Sequence, residues 1–311
     1  MHPTRPEIAA AAARIAPHVR RTPVLRMGEA ELGLGLPLIL KLELLQATGS
    51  FKVRGAFNRM LTASLPEAGV ATASGGNHGA AVAYAARALG VRAEVFCPVG
   101  TPAAKTSRIE GYGAVLHRVG AAYDEARVAS EARAAGTGAL LVHAYDQPEV
   151  LAGQGTVGME LEADAPEATH VLVATGGGGL IGGIAAWYAG TGVEVVSVEP
   201  EGCPTLATAL QEGRPVPCPV GGLAADSLGA RQVGALMFEV ARRHVGRAVL
   251  VPDAAIRDAQ RLLWDRLRLV AEPGGAAALA ALTSGAWLPP AGARVAVVVC
   301  GSNTDPATVT G

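Results

Sequence analysis

The sequence is poor in charged and aromatic residues. Of its 311 residues only 17% are charged and 4% are aromatic, whereas 50% are apolar. A chain with so much apolar material can bury a large core, which excludes intrinsic disorder. The 26 basic residues nearly balance the 27 acidic ones, and no basic cluster stands out. Nucleic acid is therefore not expected as a partner, because its binding needs concentrated positive charge.

Cysteine is also scarce. The four thiols, Cys97, Cys203, Cys218 and Cys300, lie far apart, without the Cys-x-x-Cys pairs of zinc sites or the density of a disulfide framework. We expect four reduced thiols. The N-terminal residues lack the apolar core of a signal peptide, and the longest uncharged run, 168–193, is too rich in glycine for a membrane helix. The sequence thus predicts a cytoplasmic protein without a membrane segment.

Short β-rich runs alternate with alanine-rich helical stretches along the chain. The candidate strands are 38–42, 70–73, 93–97, 114–119, 140–143, 170–174, 194–198, 248–251 and 295–299, and the candidate helices are 82–89, 124–135, 148–162 and 254–267. This alternation predicts an α/β fold with parallel strands. Because most of the strands are apolar throughout, we expect helices on both faces of the sheet. The length suggests about two domains, but composition reveals no boundary.

A glycine-rich loop follows the candidate strand 170–174. Four consecutive glycines, 176–179, precede a helical stretch at 184–189, and such a loop presents backbone N–H groups to a phosphate. The glycines of 177–182 also satisfy the G-x-G-x-x-G pattern of dinucleotide sites, with Glu199 near the place of a ribose-binding acid. From this motif alone a dinucleotide site, a phosphate cradle for another cofactor and a turn without a ligand all remain open.

Lysine is rare among the basic residues, with only Lys41, Lys52 and Lys105 in the chain. A deprotonated lysine amine can form an imine with an aldehyde, which arginine cannot do. Lys52 lies between a turn at 48–50 and a segment typical of a helix start. Positive potential at that helix end predicts a lowered pKa for Lys52. A solvated surface lysine is the alternative at this point.

The segment around Lys52, QATGSFKVRGA at 46–56, resembles the cofactor-lysine segment of the fold-type-II pyridoxal-phosphate enzymes, and more narrowly that of the serine/threonine dehydratase family. Four further segments match this family in order: SGGNHG at 74–79, AGQGT at 152–156, GGGG at 176–179 and CGSN at 300–303. Five motifs in the same order are specific to this family. The resemblance therefore favours a phosphate cradle for pyridoxal phosphate over a dinucleotide site.

The resemblance implies an α/β fold of two open, twisted-sheet domains with pyridoxal 5'-phosphate in the cleft between them. The large, cofactor-binding domain is expected to comprise residues 1–67 and 146–311. The small domain, residues 68–145, is expected to be inserted into it.

The resemblance also implies roles for individual residues. Lys52 would be the catalytic residue, carrying the cofactor on its ε-amine and moving the α-proton. The residues implied to bind the cofactor are Phe51, Lys52, Asn77, Gly176, Gly177, Gly178, Gly179, Leu180, Glu272 and Cys300. Those implied to bind the substrate carboxylate are Ser74, Gly75, Asn77 and His78.

Three of these assignments have plainer alternatives. Cys300 would face the pyridine nitrogen, where a neutral thiol leaves the ring a weaker electron sink and favours elimination; it could equally be a buried core cysteine, with Ser302 as the nitrogen's partner. His78 could be a cap or packing residue. Glu272, which precedes Pro273, could be an N-terminal charge on a helix.

The sequence departs from the family pattern at three places. Racemases of the family have a serine where Gly75 stands, and a glycine cannot move a proton, so racemisation is doubtful. Members that bind a divalent cation have an aspartate six residues after a glutamate, whereas Thr205 follows Glu199 here, so no metal is predicted. Only eight residues follow Asn303, which leaves no room for the C-terminal regulatory domain of biosynthetic threonine dehydratases.

The function implied by the resemblance is a pyridoxal-phosphate-dependent L-threonine ammonia-lyase that also acts on L-serine. It would eliminate water and release a 2-oxo acid and ammonia. The partner would be a small hydroxy amino acid, and the family expectation is a homodimer or homotetramer. A threo-3-hydroxyaspartate dehydratase, a serine racemase-like enzyme, a β-replacement enzyme and a non-catalytic cofactor-binding protein remain alternatives.

Overall fold

The computed structural model describes residues 2–310, which form ten strands and thirteen helices. The strands are β1 Val24–Met27, β2 Leu38–Lys41, β3 Val70–Ala73, β4 Ala93–Cys97, β5 Val115–Arg118, β6 Leu140–Leu141, β7 His170–Ala174, β8 Glu194–Pro200, β9 Val245–Val251 and β10 Val295–Val298. The helices are α1 Arg5–Ile15, α2 Lys52–Leu61, α3 Asn77–Ala88, α4 Ala103–Gly111, α5 Tyr123–Thr137, α6 Pro148–Asp164, α7 Gly179–Tyr188, α8 Thr205–Glu212, α9 Ala225–Leu228, α10 Ala235–His244, α11 Asp253–Leu267, α12 Pro273–Thr283 and α13 Ala307–Thr310.

The strands form two sheets. The larger has the order β1-β2-β10-β7-β8-β9, in which only the β1–β2 pair is antiparallel. The smaller has the order β5-β4-β3-β6 and is parallel throughout. Strands β2, β3, β4 and β10 are buried along their whole length, as expected when helices cover both faces. The predicted α/β class is confirmed.

All four strands of the smaller sheet fall within residues 68–145, and the larger sheet is built from strands on either side of that segment. The chain therefore passes from the larger sheet to the smaller one after α2, and α6 leads it back to the larger sheet at β7. This arrangement supports a large domain of residues 1–67 and 146–311 with a small domain, residues 68–145, inserted into it. The exact boundaries stay a proposal.

Several elements differ from the sequence-based predictions. Strand β1 and helix α1 were not predicted, although the α1 start carries a capping-box signal, with the Thr4 N–H donating to Glu7 at 2.7 Å. Strand β1 has no clear signal in the sequence because it is a short edge strand without apolar alternation. Helices α3 and α7 begin earlier than predicted. Their first turns contain glycine, and because glycine is a poor helix former the sequence-based prediction placed both helix starts too late.

Among residues 2–310, none of the helices combines the length and the apolar composition that a transmembrane span requires. The four cysteines are buried as free thiols. The apolar core runs through the centre of the larger sheet, with α7 and α12 buried along nearly their whole length.

A buried ion network fixes α2, the helix that begins with Lys52, against α6. Arg54 is fully buried and donates to both carboxylate oxygens of Glu43 at 2.8 Å and to Glu160 at 2.7 Å. Lys41, also fully buried, donates to Glu160 at 2.6 Å. The helices approach so closely that a Cβ on Gly153 would lie 2.7 Å from the Arg54 carbonyl oxygen. Gly153, the first glycine of the AGQGT motif, thus lets α6 pack directly on α2.

We predict that Arg54→Leu lowers the free energy of unfolding by about 3–5 kcal/mol, because it leaves the Glu43 carboxylate buried without its counter-charge. Urea denaturation of the cofactor-free protein measures this. The control is Arg242→Leu, which removes an exposed ion pair with Glu239 and should cost less than about 1 kcal/mol. Equal losses in the two variants would contradict the importance of the buried network.

Candidate active site

A cavity of about 450 Å³ lies at the carboxyl ends of strands from both sheets. Its lining includes Lys52, the loop 74–78 that follows β3, and Gly177 in the loop that follows β7. Loops after parallel strands are the usual place for ligands in α/β folds. The structure thus brings three of the five sequence motifs to one cleft.

Lys52 is the first residue of α2, and its Nζ donates a hydrogen bond to the Ala144 carbonyl at 2.8 Å. The ammonium lies 5.2 Å from the centre of the Phe51 ring. Burial lowers the pKa of Lys52 to about 8, while negative charge on Glu272 opposes the shift. The direction agrees with the sequence-based prediction, but its cause was wrong: loss of solvent, rather than the helix end, is the main contribution.

The glycine loop leaves no space for side chains. A Cβ on Gly177 would lie 2.3 Å from the Tyr145 ring, and one on Gly178, where φ is +89°, would lie 2.3 Å from Met237. A Cβ on Gly176 would lie 2.7 Å from the Leu228 carbonyl oxygen. The loop leads into α7, whose first N–H groups, including that of Leu180, have no acceptor within the helix. This is a cradle of backbone donors of the kind that binds a phosphate.

Asn77 begins α3 and is held by two partners. Its amide donates to Glu272 at 2.6 Å, and its carbonyl oxygen accepts from Asn303. Asn303 also donates to the Thr48 carbonyl at 3.0 Å. The sequence analysis gave Asn303 no role, although it closes the CGSN motif. Its place beside Asn77 depends on a contact between residues 226 positions apart, which no local pattern reveals.

Glu272 is buried at the N-cap position of α12. Burial raises the pKa of Glu272 to about 7, and the hydrogen bond from Asn77 opposes the shift. The helix-start interpretation applies, since Glu272 is the N-cap residue of α12. The carboxyl group also orients Asn77, and its binding of the cofactor stays a prediction.

Cys300 is buried, and its thiol donates to the Gly274 carbonyl at 3.3 Å. Burial raises the pKa of Cys300, so this group is a neutral thiol at physiological pH. Ser302, the alternative partner for a ring nitrogen, donates instead to the Leu44 carbonyl at 3.1 Å. Both groups donate to backbone carbonyls, so the choice between them stays a prediction from the resemblance, which implies Cys300.

The loop 74–78 turns tightly before α3. The Gly76 N–H donates to the Ser74 hydroxyl at 3.2 Å. The His78 ring is buried against the Val142 carbonyl, with Nε2 at 3.0 Å, and burial lowers the pKa of His78 to about 3. The neutral ring therefore packs against the backbone, and what His78 offers an anion is its N–H in the first turn of α3.

Gly75 has no room for a larger residue. A Cβ there would lie 2.4 Å from the methyl carbon of Thr101. A serine at this position would therefore require Thr101 to move.

The cavity also has an aromatic wall that the sequence analysis did not find. Tyr123 and Tyr145 line it together with Leu228, Ala230 and Pro98. Isolated tyrosines outside a motif give no sequence signal, so only the fold identifies them.

The residues at the cleft fit the cofactor that the resemblance implies. They provide a half-buried amine of lowered pKa, a cradle that excludes side chains, an oriented amide at Asn77 and a neutral thiol. Among residues 2–310 no group of three or more His, Cys, Asp or Glu side chains could hold a metal ion. Glu199, the possible ribose ligand of the dinucleotide interpretation, is fully buried and accepts two backbone N–H groups of α8.

Comparisons with known proteins agree with the family and the cofactor that the resemblance implies. The family described as "Pyridoxal-phosphate dependent enzyme" matches residues 15–301. The chain is 39% identical over 301 residues to the L-threonine ammonia-lyase of Geobacter sulfurreducens, covering 95% of this chain and 74% of the relative. It is also 39% identical over 316 residues to the phenylserine dehydratase of Ralstonia pickettii, covering 98% and 95%.

Solved structures confirm the two-sheet fold. Maize serine racemase superposes with a TM-score of 0.94 at 33% identity, covering 99% of this chain and 96% of the other. The T.th. threonine deaminase superposes with a TM-score of 0.91 at 38% identity, covering 97% and 99%.

We predict that the cofactor-free protein reacts with pyridoxal phosphate at a rate that rises steeply up to a pH of about 8 and then levels off. Only the neutral amine attacks an aldehyde, and the pKa of Lys52 is about 8. Stopped-flow absorbance between pH 6 and pH 10 measures the profile. A rate that still rises tenfold per pH unit above pH 9 would mean that Lys52 titrates like an exposed lysine.

Proposed function

The chain belongs to the family of pyridoxal-phosphate-dependent enzymes, and we propose that within it the protein is an L-threonine ammonia-lyase that also acts on L-serine. It is a lyase whose cofactor is pyridoxal 5'-phosphate. The reaction eliminates water from the hydroxy amino acid, and addition of water to the released enamine then yields a 2-oxo acid and ammonia. The observation that carries the proposal is the half-buried amine of Lys52, with a pKa of about 8, in one cavity with the glycine loop and the loop 74–78.

When bound, the cofactor supplies an electron-withdrawing ring that stabilises negative charge at the substrate's α-carbon. The N–H groups of Gly176, Gly177, Gly178, Gly179 and Leu180 would hold its phosphate. Asn77 would donate to the ring oxygen, Phe51 would pack beside the ring, and Cys300 would offer an uncharged thiol to the ring nitrogen. These assignments rest on the resemblance, and the geometry of the cradle and of Asn77 supports them.

The chain's own residues move the proton and hold the substrate. The neutral amine of Lys52 accepts the proton from the α-carbon, which its pKa near the working pH favours. The loop of Ser74, Gly75, Asn77 and His78 holds the substrate carboxylate through hydroxyl and N–H groups. Because a neutral thiol rather than an acid stands at Cys300, charge at the α-carbon is short-lived and departure of the β-hydroxyl is favoured.

Charges in the cavity argue against 3-hydroxyaspartate as the substrate. A second carboxylate needs a cation, and the lysines lining the cavity are Lys52 and Lys105. Lys105 already pairs with Asp226 at 2.9 Å. Racemisation is disfavoured because Gly75 has no side chain to move a proton, and Thr101 stands where a serine side chain would lie.

An aryl-substituted serine is a second candidate substrate, favoured by one observation. Tyr123 and Tyr145 form an aromatic wall in the cavity, and aromatic rings pair with one another at a gain beyond burial. The relative named phenylserine dehydratase matches nearly the full length of both chains.

We further propose that the protein works in the cytoplasm as a homodimer or homotetramer, as the resemblance implies. Sedimentation analysis tests the proposed oligomeric state. A monomer at micromolar concentration would contradict it.

We predict that Lys52→Ala abolishes both the visible absorbance band of lysine-bound cofactor and the formation of 2-oxobutyrate from L-threonine. The loss in kcat should exceed about 10³-fold, because the variant has no base at the α-carbon. Thermal denaturation of the cofactor-free variant controls for folding. Retained turnover would remove Lys52 from the mechanism, and a wild-type protein that binds cofactor but turns over no hydroxy amino acid would indicate a non-catalytic protein.

We predict that ammonia release is fastest with L-threonine, measurable with L-serine and threo-3-phenylserine, and weakest with threo-3-hydroxyaspartate, in one steady-state panel. Tyr145→Leu should lower kcat/KM for phenylserine about tenfold relative to threonine, because it removes the aromatic contact. The control is Tyr112→Leu, since Tyr112 pairs with Tyr84 away from the cavity. An unchanged phenylserine-to-threonine ratio in Tyr145→Leu would exclude the aromatic wall as the determinant.

A further inference from the structure

The glycine loop is held from outside by a hydroxyl that the mechanism does not use. The Oγ1 atom of Thr205, the first residue of α8, lies 2.7 Å from the carbonyl oxygen of Gly176 and 2.9 Å from Oε1 of Glu199. Thr205 and Glu199 are both fully buried. Two such partners fix the position of this buried hydroxyl, and its single hydrogen lies between two oxygens.

Glu199 anchors this hydroxyl to the larger sheet. The carboxyl group belongs to β8 and accepts the N–H groups of Leu206 at 2.6 Å and Ala207 at 2.8 Å. It therefore ties the start of α8 to a central strand of the sheet. Burial raises the pKa of Glu199 to about 7, against the effect of these hydrogen bonds. A protonated Glu199 can donate to Thr205 and leave the threonine hydrogen for Gly176.

The direction of one carbonyl decides the direction of the next N–H. In a trans peptide the C=O and N–H bonds point in opposite directions, so a Gly176 carbonyl held toward Thr205 directs the Gly177 N–H the other way. Gly177 lines the cavity. The following carbonyl, of Gly177, is held by the Gly234 N–H at 3.1 Å, which orients the Gly178 N–H in the same manner.

The loop depends on such external contacts because it cannot carry side chains of its own. A Cβ on Gly176 or Gly177 would collide with Leu228 or Tyr145. Glycine also has the widest choice of backbone conformations, so an unsupported loop of four glycines would sample many directions of its N–H groups. Anion binding is strongest when such donors are already oriented.

We propose that Thr205 is a positioning residue for the cofactor phosphate: its hydroxyl holds the Gly176–Gly177 peptide so that the Gly177 N–H faces the phosphate. This inference rests on the proposed role of the glycine loop. It gives a function to Thr205, which the sequence analysis noted only because members that bind a divalent cation have an aspartate there.

The test measures cofactor binding rather than turnover. Thr205→Val keeps the shape of the side chain and removes the hydroxyl. We expect its dissociation constant for pyridoxal phosphate to rise about tenfold, a factor that corresponds to about 1.4 kcal/mol. Its dissociation constant for pyridoxal, which lacks the phosphate, should stay within about twofold of the wild type. Thr205→Ser retains the hydroxyl and should bind both compounds like the wild type.

Two controls complete the experiment. Thr208→Val removes a hydroxyl on the same helix that donates to the Pro204 carbonyl at 2.6 Å, and it should leave both constants unchanged. Gly177→Ala places a methyl group in the cradle and should weaken pyridoxal phosphate strongly. If Thr205→Val is poorly folded by circular dichroism, Thr205→Ala, which avoids a second methyl beside Glu199, replaces it with the same expectation.

The outcomes separate this inference from the role of the loop. Wild-type affinity for pyridoxal phosphate in Thr205→Val, or an equal loss for pyridoxal, would overturn the positioning role. Failure of Thr205→Ser to restore binding would do the same. If Gly177→Ala also binds normally, the glycine loop itself is not the phosphate site, whereas threonine turnover remains a separate question.

Discussion

Partial burial of the Lys52 amine is the constraint on which the rest of the site depends: the side chain is half-buried at the wall of the cavity and donates to the Ala144 carbonyl. An ammonium loses hydration free energy when it is buried, and the neutral form needed by a base or nucleophile becomes accessible near physiological pH. The fold maintains this burial at the start of α2. Two residues further on, Arg54 fixes the same helix to Glu43 and Glu160 through buried ion pairs. The scaffold and the chemistry thus share one helix.

Burial also removes charge from other groups at the cleft. The His78 ring is neutral, the Cys300 thiol is neutral, and the pKa of Glu272 is raised to about 7. For the phosphate and the carboxylate that we propose as its ligands, the site therefore offers mostly backbone dipoles at the starts of α3 and α7. Dipoles fixed by the fold need no reorganisation when a ligand binds. They also leave the amine of Lys52 as the principal titrating base.

The fold class, the cofactor and the reaction class could be predicted from the sequence because buried parallel strands and five ordered motifs are local patterns. The residue roles stay proposals, and the domain boundaries also stay untested. What could not be predicted depends on contacts between distant segments: Asn303 beside Asn77, Tyr145 over Gly177, and Thr205 behind Gly176. The early start of α7 was missed because packing overrides the low helix propensity of glycine. The shifted pKa of Lys52 was given the wrong cause because burial cannot be read from a turn.

The strand order of the larger sheet has a consequence for how the protein folds. Strand β10, near the end of the chain, lies between β2 and β7 and pairs Val295 with Leu38 on one side and with His170 on the other. Until β10 is in place the sheet consists of two separate pieces, and joining them closes very long loops. Such a topology slows folding. Cys300 and Asn303 follow this strand in the sequence, so the contacts that they make with Gly274 and Asn77 depend on β10 having joined the two pieces.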